Sequence, residues 1–257
     1  MSQSRPMPPN AIPASTVVIF REGSGILPEV LMVERSRAMA FAGGALVFPG
    51  GRIDPGDHLL AATLQVEDAD EAAARIAAIR ETLEEAGVAI GLDPLPDPVA
   101  LATIRAGLHA GEGFAELLSA AGVSIALDAL VPFARWLPNH PIARVFDTRF
   151  YLARLPDDAE PASVDHTENV RLIWTTPRDI LDHGAAGAVK LIFPTLRNLE
   201  RLAQHDSFDE AVADALSHPV RTIVPTIEVR DGVEHLCIPD GLGYPVVSFE
   251  LDQAMRG

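Results

Sequence analysis

The chain of 257 residues carries a formal charge of −16 and 48% hydrophobic residues. It is long enough for one large domain with a sizeable core, and its acidic charge excludes a protein that binds nucleic acid through a basic surface. Since no run of about 18 apolar residues occurs, no membrane span is expected. The single cysteine, Cys237, excludes an internal disulfide and favours a cytoplasmic protein.

The N-terminal part predicts a leader, three strands and a glycine-containing loop. Residues 1–14 hold four prolines among polar residues and are predicted to be a disordered leader. Strands are predicted at residues 15–20, 30–34 and 45–48. The last strand runs into Gly50 and Gly51, and a double glycine is typical of a loop whose backbone lies close to a ligand. A turn at residues 54–57 and a helix over residues 58–66 follow.

A longer helix, predicted from Asp68 to Gly87, carries the most unusual pattern of the chain. Asp68 with Glu71 predicts a capping box at its start, and Gly87 predicts its end. The last turns contain three glutamates at i, i+3 and i+4, which share one helix face opposite the apolar side chains. These residues are Glu81, Glu84 and Glu85.

The three glutamates lie where the helix dipole is negative, so each carboxylate costs about 0.3–1 kcal/mol. A hard divalent cation such as Mg²⁺ or Mn²⁺ prefers oxygen ligands and would convert this repulsion into binding. A solvated acidic face on an acidic protein is the alternative interpretation. The small residues Ala74, Ala77 and Ala78 favour the metal-binding hypothesis, because they let a loop or a ligand approach this face closely.

The remaining chain predicts an insertion, further strands and a C-terminal extension. Residues 91–98 form a proline-rich connector, and residues 99–122 form a helical insertion that is either a lid or a structural cap. Strands are predicted at 130–137, 148–155 and 170–174, helices at 177–183, 193–204 and 208–216, and a hairpin from 220–229 and 235–238 around Asp231-Gly232. A loop with Asn139, His140 and Pro141 joins two of these strands. Glu168 is either a base, a metal ligand or an ordinary loop acid.

The double glycine and the pattern Arg-Glu-x-x-Glu-Glu-x-Gly-Val at residues 80–88 together resemble the Nudix box, G-x5-E-x7-R-E-U-x-E-E-x-G-U with U apolar. The second half of the box matches, and the first half is enlarged. Gly51 and Arg80 are 29 positions apart, 15 more than the box allows. The first box glutamate corresponds to Asp57 when counted forward from Gly51 and to Ala72 when counted back from Arg80.

A second resemblance lies upstream of the box. Residues 31–36, Gly44 and the Phe-Pro-Gly-Gly-x-x-Asp run at 48–54 are similar to the signature of the coenzyme A diphosphatases of the Nudix family. One branch of these enzymes, which includes an acyl-coenzyme A diphosphatase, carries an enlarged box like the one here. The chain departs from the signature at Ala40, where a basic residue is expected.

The family resemblance implies an α+β Nudix fold, an α/β/α sandwich around a mixed β-sheet. The expected organisation is a Nudix domain over residues 15–184, with the helical insertion inside it. Residues 185–257 are expected to form a helical and hairpin extension that packs on the same domain. The sequence leaves both a monomer and a homodimer open.

The resemblance also implies a set of site residues. Glu81, Glu84, Glu85 and the Gly50 carbonyl would hold Mg²⁺ or Mn²⁺, and Arg80 would orient the glutamates. The general base would be Glu84 or Glu168. The arginines beside the glycine loop, which would clamp the 3′-phosphate of coenzyme A or serve as surface salt-bridge partners, are Arg35, Arg37 and Arg52.

Three functions follow as hypotheses. The first is hydrolysis of coenzyme A or acyl-coenzyme A to 3′,5′-ADP and 4′-phosphopantetheine or its acyl form. The second keeps this chemistry but takes ADP-ribose, a dinucleotide or another nucleoside diphosphate derivative as the small-molecule substrate. The third is a non-catalytic Nudix-fold module that binds or regulates.

Overall fold

The computed structural model describes residues 11–23, 25, 27–39, 42–138, 145–164 and 168–254. Most of the predicted leader, Ala40 and the predicted loop at Asn139, His140 and Pro141 lie outside the described residues. In chain order, the strands are β1 Ile12–Arg21, β2 Glu29–Arg35, β3 Ala45–Val47, β4 Gly50–Arg52, β5 Leu92–Asp93, β6 Ser124–Ile125, β7 Val131–Trp136, β8 Phe146–Arg154, β9 Asn169–Thr175, β10 Lys190–Leu191, β11 Thr222–Ile223, β12 Thr226–Arg230, β13 Val233–Cys237 and β14 Ser248–Glu250. The helices are α1 Pro55–Ala61, α2 Ala69–Ala86, α3 Pro98–His109, α4 Phe114–Ala121, α5 Pro177–Ala185, α6 Phe193–Leu202, α7 Phe208–Ser217 and α8 Leu251–Ala254.

A mixed sheet with the strand order β10-β3-β2-β1-β8-β7-β11 forms the centre of the fold. Strand β1 runs parallel to β8 and antiparallel to β2 and to the short glycine strand β4. Strand β9 pairs with β2. The glycine loop is therefore a strand of the central sheet, which fixes its position.

Helices cover both faces of this sheet. Because successive strand residues point to opposite faces, Val17 and Ile19 of β1 pack in one core with α2, α3 and α4, as members of one buried cluster. Val18 and Phe20 belong to a second cluster with α5, α6 and α7. The predicted α/β/α sandwich around a mixed sheet is confirmed.

Most predicted elements are present, and several boundaries differ. The hairpin strand predicted at 220–229 is divided, because β11 pairs with β7 in the central sheet and only β12 pairs with β13. Strand β1 begins at Ile12, so the end of the predicted leader belongs to the sheet. The helix predicted at 58–66 instead spans Pro55–Ala61. It begins early because proline suits the first helical position and because Asp57 Oδ2 accepts the Asp54 N–H at 2.8 Å.

The C-terminal extension shares the second core with the sheet. Helix α6 contributes Leu199 and Leu202 to that core. The buried Trp136 Nε1 of β7 lies 3.2 Å from both Asn198 Oδ1 and the Tyr244 hydroxyl. The hairpin β12–β13 turns at Asp231 and Gly232, both at positive φ, as a two-residue turn of this composition requires. Among the described residues, no helix is long and apolar enough to cross a bilayer.

Candidate active site

Helix α2 holds the three glutamates at its C-terminal end. It begins at the N-cap Asp68, whose side chain accepts the Glu71 N–H at 2.9 Å. The predicted capping box is only half formed, because the Glu71 carboxylate lies near Arg75 and Arg149 instead. The helix ends at Gly87, whose φ of 63° is the left-handed conformation expected of a C-terminal glycine.

The glycine strand β4 lies directly against the glutamates. The Gly50 N–H donates to Glu85 Oε2 at 3.0 Å. A Cβ on Gly51 would overlap the Glu81 carboxylate, and one on Gly50 would overlap the β1 backbone at Ser15. Both glycines are therefore required by close approach to other parts of the protein, whereas the predicted approach to a ligand stays a prediction.

Arg80 is buried, and its guanidinium is hydrogen-bonded mainly to Asp57. Its Nε and Nη2 donate to the two Asp57 carboxylate oxygens at 2.9 and 2.8 Å. Its Nη1 donates to Glu81 Oε1 at 2.9 Å, and its Nη2 also donates to the Arg52 carbonyl at 3.0 Å. Glu84, the i+4 neighbour, is more distant at 3.8 Å. Burial lowers the pKa of Arg80, but the hydrogen bonds and charge of Asp57 and Glu81 outweigh it, so the pKa is raised.

Asp57 thus decides between the two ways of aligning the enlarged box. It is 1% exposed and sits on α1, which packs on α2. Ala72, the alternative, is a buried core residue without a polar side chain. The forward count from Gly51 is the one that agrees with the geometry, and the extra residues lie between α1 and Arg80.

Glu85 is buried, and Glu81 is partly buried with 16% of its side chain exposed. Burial, followed by the charge of Glu84 and Asp54, raises the pKa of Glu81 to about 7 despite the lowering effect of Arg80. Burial and the nearby Glu81 charge raise the pKa of Glu85 to about 8. Hydrogen bonds from the Gly50 N–H and the Asn169 side chain lower the pKa of Glu85, but they offset the effect of burial only partly. Glu81 and Glu85 are therefore not part of a fully solvated acidic face, which was the alternative interpretation of the sequence.

The positive charge that the sequence lacks at the end of α2 comes from Arg105 on the helical insertion. Its Nε donates to the Glu84 carbonyl at 3.0 Å and its Nη2 to the Glu85 carbonyl at 3.3 Å. The same guanidinium donates to Ser163 Oγ at 2.7 Å and to the Ser163 carbonyl at 2.8 Å. It also lies 2.7 Å from where a Cβ of Gly87 would be. A cation at this helix end is favourable, so the insertion supports the glutamate helix.

A cleft of about 500 Å³ opens beside the glycine strand. Its charged lining residues are Arg35, Arg52, Asp54, Glu81 and Glu168. Its opposite wall is largely apolar and includes side chains from the sheet and the C-terminal extension, namely Met39, Val47, Phe48, Trp136, Phe146, Phe150, Ile192 and Pro194. The cleft therefore combines a polar, glutamate-containing side with an apolar one.

The predicted site residues do not all meet in this cleft. Glu81, Arg35, Arg52 and Glu168 line it, with Arg35 Nη2 at 3.5 Å from Glu168 Oε2. Glu85 lies behind the glycine strand, bonded to Gly50. Glu84 faces the insertion, where its Oε1 is 3.8 Å from His109 Nδ1. Arg37 lines a different cleft.

The donor set at the end of α2 fits a hard cation. In the described ranges, no group of three or more His, Cys, Asp or Glu side chains forms a ready-made metal cluster. The available donors are nevertheless carboxylate oxygens and the backbone of a glycine strand, which are the ligand types of Mg²⁺ and Mn²⁺. The raised pKa values of Glu81 and Glu85 mark an uncompensated negative site that such an ion would neutralise.

Comparisons with known proteins agree with this fold. The profile of the NUDT19 Nudix domain matches residues 61–202. A crystal structure of a NUDIX hydrolase from Alicyclobacillus acidocaldarius superposes with a TM-score of 0.69 at 29% identity, over 79% of this chain and 96% of that one. The chain therefore belongs to the Nudix hydrolases, a class of enzymes that act on diphosphate bonds, in the branch defined by the NUDT19 Nudix domain.

Two curated relatives are similar to this chain over most of its length. "Putative nudix hydrolase 7" of Caenorhabditis elegans is 30% identical over 70% of this chain and 57% of its own length. Acyl-coenzyme A diphosphatase NUDT19 of Gallus gallus is 26% identical over 84% of this chain and 73% of its own length. The chain thus spans little more than half the length of the first of these relatives.

The sequence left one residue of the site undecided and did not indicate two others. Asp57 was one of two alternatives, and only its pairing with Arg80 selects it. Arg105 lies 18 positions after Gly87 on another helix, where no local pattern connects it to the glutamates. Asn169 follows Glu168 directly and is fully buried beside Glu85, which one sequence cannot indicate. The available signal for Arg105 was the missing cation in the last turn of α2.

Proposed function

We propose that the chain is a metal-dependent Nudix hydrolase that cleaves the diphosphate linkage of coenzyme A or acyl-coenzyme A. The products would be 3′,5′-ADP and 4′-phosphopantetheine or its acyl form. The observation that carries the proposal is the contact of the Gly50-Gly51 strand with the carboxylates of Glu81 and Glu85. The similarity to an acyl-coenzyme A diphosphatase supports the choice of substrate.

Glu81, Glu84, Glu85 and the Gly50 carbonyl are the proposed ligands of Mg²⁺ or Mn²⁺. When bound, such an ion would neutralise the diphosphate oxygens and lower the pKa of water, which overcomes the repulsion that makes this linkage inert. Arg80 would hold Glu81 in position through its 2.9 Å hydrogen bond, and Asp57 would hold Arg80. Arg80 would act on the glutamates and not on the substrate, because four of its five N–H groups donate to Asp57, Glu81 and the Arg52 carbonyl and its Nη1 also lies 3.8 Å from Glu84.

Glu168 is the better supported of the two candidates for the general base. It lines the same cleft as Glu81 and Arg35, and its side chain is 55% exposed, so water can reach it. Glu84 faces His109 on the insertion instead. Glu168→Gln should therefore lower kcat and change the pH profile, whereas Glu84→Gln should mainly raise the metal concentration needed for activity.

The cleft composition supports a substrate with a charged and an apolar part. Arg35 and Arg52 lie on the glutamate side and are suited to phosphate oxygens. The apolar wall suits a nucleobase, a pantetheine arm or an acyl chain. Arg37 is less well supported as a contact, because it belongs to another cleft.

The direct test is a panel of nucleotides incubated with the protein and Mg²⁺ or Mn²⁺, with the products separated by chromatography. We expect coenzyme A and an acyl-coenzyme A to yield 3′,5′-ADP faster than ADP-ribose or a dinucleotide yields AMP. Faster cleavage of ADP-ribose would replace the coenzyme A proposal with the second hypothesis. No cleavage of any member would favour a binding module.

A further inference from the structure

A second cleft, of about 1150 Å³, lies across strand β3 from the glutamate cleft. The two clefts share no lining residue. Strand β3 contributes Leu46 to the second cleft and Val47 to the first, and successive strand residues point to opposite faces. A ligand in the second cleft would therefore be separate from one at the glutamates.

The second cleft is locally basic in a strongly acidic protein. Its basic lining residues are Arg37, Arg171, Lys190 and Arg197, and its acidic ones are Glu34, Asp182 and Glu200. Glu34 pairs with Arg171 at 3.0 Å, and Glu200 pairs with Arg197 at 2.6 Å. Among the described residues, Arg37, Lys190 and Asp182 form no ion pair and all three are exposed, so the unpaired groups carry two positive charges and one negative charge.

The two exposed cations lie on neighbouring parts of the rim. Arg37 packs against Gly44, where a Cβ would come within 3.3 Å of its Cγ. The next residue, Ala45, is the strand partner of Lys190 in the parallel pairing of β3 with β10. Their charges therefore act on the same end of the cleft.

Arg197 in the wall of the cleft is buried and incompletely paired. It is 1% exposed, and in the part of the chain that the structure describes its Nε and Nη1 have no hydrogen-bond partner. Within the described residues, Oε2 of its acidic partner Glu200 also has no hydrogen-bond partner. The Phe249 ring lies 4.6 Å from the guanidinium and shields it from water. An anion in the cleft would stabilise the positive charge of Arg197, because charges interact strongly across the apolar wall, where the effective dielectric constant is low.

The rest of the wall is apolar and is formed by Leu46, Leu181, Val189, Leu191, Leu196 and Phe249. We propose that the second cleft binds an amphipathic oxyanion, a small molecule that carries one phosphate or carboxylate group on an apolar body. The oxyanion lies between Arg37 and Lys190, and the apolar body lies along the leucines. This site is independent of the proposed hydrolysis.

The test is calorimetric titration of the intact protein with decanoate and with decyl phosphate. Acetate and inorganic phosphate serve as head groups without the apolar body, and decanol as the body without the charge. We expect at least one of the long-chain anions to bind at least tenfold more tightly than its short counterpart and than decanol. The tighter of the two identifies the preferred head group. The affinity should fall as salt is added, because salt screens exposed charges.

Lys190→Gln and Arg37→Gln should each weaken the binding about threefold to tenfold, and together more, since each removes one charge-assisted contact. Arg221→Gln is the matched control, because it removes an exposed positive charge beside β11, at the opposite end of the sheet. Replacing Arg197 and Glu200 together by Met removes the buried pair without leaving an unpaired charge, and should also weaken binding. Absence of binding by both long-chain anions, or equal affinity in the Lys190/Arg37 double variant and the wild type, would overturn the proposal.

Discussion

The two clefts carry opposite imbalances of charge. In the first, the negative charges of Glu81 and Glu85 exceed the positive charge that Arg80 can supply, and their pKa values are raised to about 7 and about 8. In the second, exposed Arg37 and Lys190 exceed the unpaired acids. The proposed cation site and the proposed anion site therefore lie on opposite sides of the short strand β3.

The same contrast appears in two buried arginines. Arg80 uses its Nε and both terminal nitrogens on Asp57, Glu81 and a backbone carbonyl, and its pKa is raised. Arg197 has one acidic partner, and burial lowers its pKa. Arg80 thus holds the glutamate site together, whereas Arg197 contributes a buried positive charge to the wall of the second cleft. Substitutions test the glutamate side of this comparison, and the one with the greatest expected effect comes first.

Asp57→Ala should destabilise the protein most. It leaves the buried Arg80 without its bidentate partner, and breaking a buried ion pair costs about 3–5 kcal/mol. Denaturant unfolding measures the change. Asp70→Ala is the control, because Asp70 is an exposed acid in the first turn of α2, and exposed substitutions usually lie within about 0.5 kcal/mol. Equal effects of the two substitutions would mean that Asp57 does not hold the site together.

Glu85→Gln should lower kcat/KM by about a hundredfold or more while the metal-free protein becomes more stable. The folded-state pKa of about 8 lies above the ordinary value of 4.5, so ionisation of Glu85 opposes folding. The stability that the Glu85 carboxyl contributes to the folded protein is fully present below pH 4.5 and is lost as the pH rises through about 8. Glutamine keeps an acceptor for the Gly50 N–H but carries no charge. A lower melting temperature in metal-free buffer at pH 8 would mean that the carboxylate is structural.

Arg35→Ala and Arg52→Ala test which cleft receives the 3′-phosphate of the proposed substrate. A charge-assisted hydrogen bond contributes roughly 1.5–3 kcal/mol, so either variant should lose about tenfold to a hundredfold in kcat/KM for coenzyme A. Activity on dephospho-coenzyme A should change much less. Arg37→Ala is the matched control and should not alter this preference. A loss of the preference in Arg37→Ala alone would move the phosphate to the second cleft.

Arg105→Ala should produce the smallest effect and act through the metal. The substitution removes two hydrogen bonds to the carbonyls of Glu84 and Glu85 and a cation at the negative end of α2, together about 2 kcal/mol. The Mg²⁺ concentration for half-maximal activity should rise about tenfold. Arg105→Lys keeps the positive charge but lacks the several donors of the guanidinium, so its Mg²⁺ requirement should lie between those of the wild type and Arg105→Ala. An unchanged Mg²⁺ requirement in Arg105→Ala would make Arg105 a fold-stabilising residue only.

The local parts of the fold were predictable from the sequence. The end of α2 at Gly87, the hairpin turn at Asp231-Gly232 and the close approach at Gly51 each depend on a residue whose conformational preference is strong. The start of α1 was predicted three residues late, because the side chain of Asp57 reaches back to the Asp54 N–H. Such short-range competition between a turn and a helix start is only weakly encoded.

The site was predictable in its residue types but not in its partners. Glu81, Glu84 and Glu85 were identified by their spacing, yet their burial depends on β4, which is distant in the chain. The support from Arg105 and the separation of Arg37 from Arg35 depend on tertiary packing. Arg35 and Arg37 line different clefts because β2 ends at Arg35, so the alternation of strand side chains does not extend to Arg37 in the turn that follows.

The central claim is that the glutamate cleft takes a divalent cation, and calorimetric titration with Mg²⁺ and Mn²⁺ at pH 6, 7 and 8 tests it most directly. Since Glu81 and Glu85 have pKa values of about 7 and about 8, they must lose protons to bind a metal at the lower pH values. We predict an affinity that rises with pH and a release of protons that is largest at pH 6, both reduced in Glu85→Gln. If the affinity is the same at all three pH values, or equal in wild type and Glu85→Gln, these glutamates do not bind the divalent cation.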